Sequence, residues 1–549
     1  MSKTFNKTIG SVGSSNSGLS RGKKGANKSV ESNYSRAHES ASLHVSGEAI
    51  YIDDIPVDNR LLVGHIVWSK HANAKIRTIK TRAAKQLEGV HAVLCAKDIP
   101  GVNNMGPVVH DEPVLATGHV HCIGQAICLI AAETAEIARK AEALIEIEYE
   151  VLKPVLTIDA AREEGSLLQP ERIIESGNAL EALENAAHRI KGKLEIGGQE
   201  HWYLETQICL CLPGEDKEMT AWSSTQHPSE TQTIISEVLG IPRHEVDVLV
   251  RRMGGAFGGK ETQANHIAAW TALLANATRR PVKTRLFRDD DQKITGKRHP
   301  YKLEYEVGYD QQGKILAYQL DLHADGGMAT DLTMAVLERA MMHAENSYFI
   351  PNTKIRGFAW KTNTPSNTAF RGFGGPQGMC GIELAIEKIA ASLAKDPLEI
   401  RLLNFYKEGE ETPYGQAVEH NRLQAIAKEL ISSSEYVKRK KELIKYNAKQ
   451  AYLKRGIAIS PVKFGISFTT SFLNQAGALL HIYRDGSILV NHGGTEMGQG
   501  LHTKIAQIAA LELGVPALSV KVNATHTAKV PNTSATAASA GTDLNGMAV

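Results

Sequence analysis

The sequence predicts an α+β protein of at least two domains, and three observations carry that reading. The chain has 549 residues, too many for one ordinary domain. Between His38 and Pro154, short strand-like runs alternate with a helical one, as in a compact mixed domain. From Gly197 onward, glycine clusters recur between amphipathic helical stretches up to the last residue.

Composition excludes several classes. Hydrophobic residues make up 42% of the chain, ample for buried cores. A net charge of +2, with no basic stripe interleaved with aromatics, gives no footprint for nucleic acid. The six cysteines stand at 95, 122, 128, 209, 211 and 380. None forms a CxxC pair, so the chain carries no zinc or iron–sulfur signature of its own. Few cysteines in a long chain fit a reducing compartment, and the expectation is a cytoplasmic protein. No apolar run approaches the ~20 residues of a membrane helix, so no membrane partner is expected.

Residues 1–30 hold Ser, Gly, Asn and Lys without one acid, which reads as a disordered basic tail. Strand-like runs follow at Leu61–Val67, Ala92–Leu94 and Gly124–Ile130, then a helix over Ala132–Leu144 and a strand over Ile145–Tyr149. His110, His119 and His121 lack a fourth ligand and read as ordinary surface or interdomain histidines. Residues 156–190 form a charged, Ala-rich connector. Helices are expected at Glu230–Leu239, His266–Ala277, Cys380–Leu393 and, as one long element with a solvated basic face, Arg422–Tyr446. Cys209 and Cys211, two apart on a strand-like run, should share one sheet face.

The stretch Met253–Glu261, MGGAFGGKE, follows a strand-like run at Val246–Val250. Glycine lets the backbone approach a ligand closely and adopt positive φ. Paired glycines around Phe257 suggest main-chain N–H groups facing something anionic. Three further clusters have the same character: GGQEHWYLETQ (Gly197–Gln207), FRGFGGPQGM (Phe370–Met379) and HGGTEMGQGLHTK (His492–Lys504). Four such loops imply one large, polar, flat ligand. Within them, Lys260 reads as a surface or interdomain charge and Glu205 as structural. Glu200 and His201, adjacent on a strand, would face opposite ways and form no acid–base pair. Glu496 and His502 are not read as metal ligands.

Together these loops resemble the molybdenum-cofactor subunit of the xanthine dehydrogenase/oxidase family, the molybdenum hydroxylases, from about His38 to the last residue. The resemblance implies an α/β hammerhead domain over residues 36–155, the connector at 156–190, and a large mixed α/β molybdopterin-binding domain from 191 to 549. Gln199 matches the family's glutamine beside an oxo ligand of molybdenum. Phe257 and Gly258 match positions near the metal and cofactor. The forked guanidinium of Arg371 suits a phosphate or oxo ligand. Met497 and Gln499, at a loop-to-helix junction with Gly494, suit a pterin and its phosphate. Ala537 and Ala538 match a segment passing close to the metal. The molybdenum environment would thus be Gln199, Phe257, Arg371 and Ala538, with no protein atom required as a direct ligand.

For substrate, the resemblance implies a purine. Xanthine-oxidising members hold a glutamate at the position of Glu261 and an arginine at that of Arg339, which alone would read as a helix-surface residue. Phe373 and Phe468 match the aromatics that clamp a flat substrate, stacked and perpendicular, and Thr469 adds a hydrogen bond. Trp202 departs from the family's usual Phe. Oxidation of hypoxanthine and xanthine to urate with water is the implied reaction. Iron–sulfur clusters (2Fe–2S) and FAD would lie on a partner subunit in a hetero-oligomer, with NAD as acceptor. The family's general-base glutamate has no counterpart up to Val549. The expectation is therefore a domain incomplete at its C-terminus, either a shortened product or one completed by a second chain. Two alternatives stay open: an aldehyde or other N-heterocycle hydroxylase of the same family, and an inactive fragment.

Overall fold

The computed structural model describes residues 36–549, so the tail expected at 1–30 lies outside them. The largest sheet has eight strands. Their order is Thr525–His526, Val246–Val250, Met219–Ser223, Ile208–Pro213, Val282–Arg285, Leu62–Trp68, Ala126–Ala132 and Val90–Cys95. It is mixed: Leu62–Trp68 runs parallel to Val282–Arg285 and antiparallel to Ala126–Ala132. Every residue of Ala126–Ala132 is buried, the pattern of a strand covered on both faces.

One sheet therefore crosses residue 155. Leu62 pairs with Val282 and Gly64 with Thr284. A Cβ on Gly64 would lie 2.0 Å from the Thr284 Oγ1, so only glycine permits this approach. The helix Ala264–Thr278 packs on this sheet and is apolar nearly all round. Its Trp270 Nε1 donates to the Val114 carbonyl at 2.9 Å, tying the two parts of the chain together from the other side. On the outer part of the early segment, a three-stranded sheet orders His119–Val120, Ala74–Lys80 and Glu146–Val151. The helix Ala135–Ala143 is N-capped by Thr134, whose hydroxyl accepts from the Ile137 N–H.

A five-stranded sheet orders Arg172–Ser176, Asn352–Lys361, Ile315–Gly327, Tyr301–Tyr309 and His188–Ile196. Helices Thr333–Met342 and Gly375–Ser392 cover it and bury a second core. A third sheet, Ala478–Ile482, Ile488–His492 and Val520–Val522, packs against helix Leu501–Leu513.

Most expected elements form, within a few residues of their predicted bounds. Cys209 and Cys211 are buried on one face of their strand, with Sγ atoms 3.7 Å apart. The single helix expected at Arg422–Tyr446 does not form. It breaks into Leu423–Ser433 and Tyr436–Lys449, with Glu435 at φ 51° between them. The run of serines before Glu435 favours local bonding over helix propagation. The second helix instead turns Tyr436 and Lys440 onto Asp396.

Candidate cofactor and substrate site

Strand Val246–Val250 delivers the chain into the glycine loop, and three contacts fix the loop's path. The Met253 N–H donates to the Glu496 carbonyl at 2.9 Å. The Gly254 N–H donates to the Glu205 carboxylate at 3.0 Å. The Gly258 N–H donates to the Gln226 side-chain oxygen at 2.9 Å. Phe257 takes φ 56° and keeps 43% of its surface exposed, so its ring points out of the loop. Gly258 has φ +98°, and an added Cβ would meet the Ala369 carbonyl oxygen at 2.8 Å. Gly258→Ala is therefore expected to destabilise the chain by about 1–3 kcal/mol, read as a lower urea midpoint.

Lys260 is not a surface charge. It is fully buried, and its Nζ lies 2.7 Å from the Glu205 carbonyl, 3.1 Å from the Glu205 carboxylate and 2.6 Å from the Ser224 hydroxyl. A buried ammonium needs a counter-charge, and Glu205, 55 positions earlier, supplies it. The structural role read for Glu205 is thus specific: it holds both ends of the glycine loop. His201 and Glu200 do not lie on a strand. His201 is buried with Nε2 2.7 Å from the Ala369 carbonyl, and burial lowers its pKa to about 4. Glu200 pairs with Lys297 at 2.8 Å.

Gln226 escaped the sequence reading. It is 2% exposed, and its Nε2 donates to the Thr536 carbonyl at 3.0 Å while its Oε1 accepts from Gly258. It therefore joins the glycine loop to the small-residue segment at 536–538. No glycine cluster surrounds it; the only local signal is a polar residue just before Pro228 at a helix start.

Gln199 is exposed, and its Oε1 accepts from the Arg298 Nε at 2.8 Å. Arg298 also donates to the Arg371 carbonyl at 2.8 Å and stacks its guanidinium 3.9 Å from the centre of the Phe370 ring. The Arg371 N–H in turn donates to the Phe257 carbonyl at 2.9 Å. Gln199, Phe257 and Arg371 are thus linked through Arg298, a residue outside the recognised loops. Arg371 leaves its side chain exposed.

In the fourth loop, Met497 packs on Val250, Met253 and Ala256. Glu496 accepts from the N–H groups of Gly498, Gly500 and His502 at 2.9 to 3.0 Å. Burial would raise its pKa, but these donors hold the carboxyl below the usual range. Gln499 is spent within its own loop, accepting from the Met497 N–H and donating to the Thr495 carbonyl.

A cavity gathers Glu261, Arg339, Phe373, Phe468, Thr469, Ala537 and Ala538. Arg339 is 5% exposed, not on the helix surface. It donates to the carbonyls of Gly465 and Ser467, fixing the segment that carries Phe468. The Ser467 N–H donates to the Ala538 carbonyl at 2.8 Å, joining that segment to the alanines. Glu261 is 4% exposed, and its carboxyl finds no hydrogen-bond partner among the described residues. Burial pushes it up to about 8; His227 opposes this, and Glu230 and Asp331 add to it. Thr469 has no hydrogen bond among the described residues. Trp202, Phe257, Phe373, Ser467, Ala538 and Ser539 all take positive φ, a concentration of backbone strain typical of a ligand site.

The loops fit a large anionic cofactor. The backbone N–H groups of Gly255, Ala256 and Phe257 find no acceptor among the described residues, as main-chain donors facing an anion would. Arg371 is exposed, and Gly498 has a positive φ with nothing within 4 Å of its Cβ position.

Comparison with known proteins defines the class. Residues 167–405 and 429–549 match the two parts of the molybdopterin cofactor-binding domain. Residues 46–153 match the aldehyde oxidase and xanthine dehydrogenase a/b hammerhead domain. The chain belongs to the aldehyde oxidase and xanthine dehydrogenase family, of which it carries the hammerhead and molybdopterin cofactor-binding regions. It is 46% identical over 516 residues to xanthine dehydrogenase of Drosophila subobscura, covering 93% of this chain and 38% of the relative. It is 45% identical over 513 residues to xanthine dehydrogenase/oxidase of Gallus gallus, with the same two shares. Among solved structures it resembles the aldehyde oxidoreductase from Desulfovibrio gigas, with a TM-score of 0.81 and 26% identity over 91% of this chain and 57% of that one. The chain thus spans well under half the length of these two relatives. No helix among the described residues is long and apolar enough to cross a membrane.

Proposed function

We propose that this chain is the molybdenum-cofactor part of a purine hydroxylase that oxidises hypoxanthine and xanthine with water as the oxygen source. The observation that carries this reading is the cavity lined by a buried, unpartnered Glu261 together with Arg339, Phe373 and Phe468. A carboxyl lifted to about 8 is mostly protonated at neutral pH and can donate a hydrogen bond to a ring nitrogen or carbonyl. Arg339 stays charged and stabilises negative charge growing on the far side of the ring. Phe373 and Phe468 hold the flat ring in place. The bound molybdopterin supplies the redox centre that accepts two electrons. Gly255, Ala256, Phe257 and Arg371 would hold it, with Gln226 fixing the glycine loop, and Gln199, Met497, Gln499, Ala537 and Ala538 would complete its surroundings.

The reading includes the domain division at residues 155 and 190, a cytoplasmic location, and an iron–sulfur and FAD partner that passes electrons to NAD. The first test is molybdenum per chain, measured by elemental analysis on protein made in cells that synthesise the cofactor. About one atom per chain is expected, and a value near zero overturns cofactor binding. The purine assignment is tested in enzyme assembled with its partners. Glu261→Val is expected to cut xanthine kcat/KM by on the order of 100-fold or more while sparing aldehyde turnover. Unchanged xanthine turnover would favour the aldehyde or N-heterocycle reading instead.

A further inference from the structure

Next to the residues that lead into the glycine loop lies a second cavity, of about 200 Å³, that none of the residues assigned above lines. Its walls are Tyr51, Ile52, Ile55, Trp222, Arg251 and Arg252. The floor is set by two neighbouring strands: Met219–Ser223 ends in Trp222 and Ser223, and Val246–Val250 leads directly into Arg251 and Arg252. The roof is the turn Ile52–Asp54, which Arg285 and Lys283 pin through Asp53. Both surfaces are therefore fixed by elements of the largest sheet.

Arg252 is 9% exposed, and its Nε and Nη1 are enclosed with no hydrogen-bond partner among the described residues. The hydroxyl of Ser223, 0% exposed, is likewise without one. A guanidinium keeps its charge at any working pH, so it cannot relieve burial by losing a proton. Unpaired and buried, it is strongly unfavourable. None of the nearby carboxylates bonds Arg252, although Glu205 Oε1 is itself buried without a hydrogen-bond partner among the described residues. Glu205 serves Lys260, Ser224 and the Gly254 N–H; Asp53 serves Lys283 and Arg285; Asp54 accepts from the Tyr51 N–H. No carboxylate of the described residues lies within hydrogen-bond reach of Arg252, whose planar N–H edge matches a carboxylate in two-point contact. Ile52, Ile55 and Trp222 make the remaining wall apolar, which suits an uncharged, partly aromatic body.

We propose that this cavity binds a small carboxylic acid with an apolar or aromatic body, its carboxylate on Arg252 and its body against Trp222. The site does not depend on the cofactor reading, because its lining shares no residue with the cavity around Glu261 and it needs no metal. It is built into the stretch that precedes Met253, so its occupant sits one residue from the loop that faces the cofactor side.

The test is a titration of the full chain with benzoate, followed by tryptophan fluorescence and by the thermal midpoint. Benzamide serves as the neutral match. Benzoate is expected to quench saturably and to raise the midpoint, and benzamide to bind at least 10-fold more weakly. The quench should vanish in Trp222→Phe. Arg252→Gln should weaken benzoate at least 10-fold. Because that variant removes a charge beside the core, Ile55→Trp provides a second route: it fills the cavity, keeps Arg252 and should abolish binding. Equal affinity for benzoate and benzamide, binding that survives Ile55→Trp, or no saturable response in the parent chain each overturns the proposal.

Discussion

Glu261→Gln is expected to raise resistance to urea at pH 8 far more than at pH 5, relative to the parent chain. The sign follows from proton uptake. In the folded chain burial lifts the Glu261 carboxyl to about 8, from an ordinary 4.5. Between those values the folded chain keeps a proton that the unfolded chain has released. Stability therefore falls as pH rises through this window, by about 1.4 kcal/mol per unit and on the order of 4 kcal/mol in all. Glutamine keeps the shape and has nothing to ionise, so the slope belonging to this site disappears. Asp331, also lifted by burial, to about 7, adds a fall of the same sign to both proteins; because its charge also raises Glu261, the difference includes that coupling as well. The measurement is the pair of urea midpoints at the two pH values. A parent-to-variant difference that is the same at both would mean that the carboxyl is ionised in the folded chain.

Lys260→Met should cost about 3–5 kcal/mol, the size expected when a buried pair loses one member. The Glu205 side chain is only 15% exposed and would be left facing two neutral donors, Ser224 and the Gly254 N–H. Removing both charges, as Lys260→Met with Glu205→Leu, is expected to recover part of the loss, although the Gly254 contact stays broken. A single variant within 1 kcal/mol of the parent, by urea denaturation, would show that the pair contributes no more than an exposed one.

The two lysine–glycine readings show where sequence reasoning stops. Glycine pairs around Phe257 announce a tight, positive-φ loop because the requirement is local, and the structure has φ 56° at Phe257 and +98° at Gly258. The burial of Lys260 depends on Glu205 and Ser224, which no spacing connects to it. Gln226 was invisible for the same reason: its partners are Gly258 and Thr536. Arg298 lies in no glycine cluster, yet it joins Gln199 to Arg371. Glu261, Arg339 and Phe468 could be assigned to one place only through family resemblance, since a helix arginine and a loop phenylalanine have ordinary core or surface explanations. The break at Glu435 was missed because the apolar period continues across it, and only the serine run marks the interruption.

The parallel pairing of Leu62–Trp68 with Val282–Arg285 also sets an order of events during synthesis. The early strand leaves the ribosome with both edges bare; Ala126–Ala132 covers one edge once it is made, and the other waits for Val282–Arg285. That partner is made ~220 residues later, and at 5–20 residues per second the interval is roughly 10–40 s. For that time a strand containing Leu62 and Ile66 presents an unpaired edge beside unfinished chain. Yield in a host should therefore respond to chaperone supply and to translation speed between residues 68 and 282, and much less to changes after residue 285.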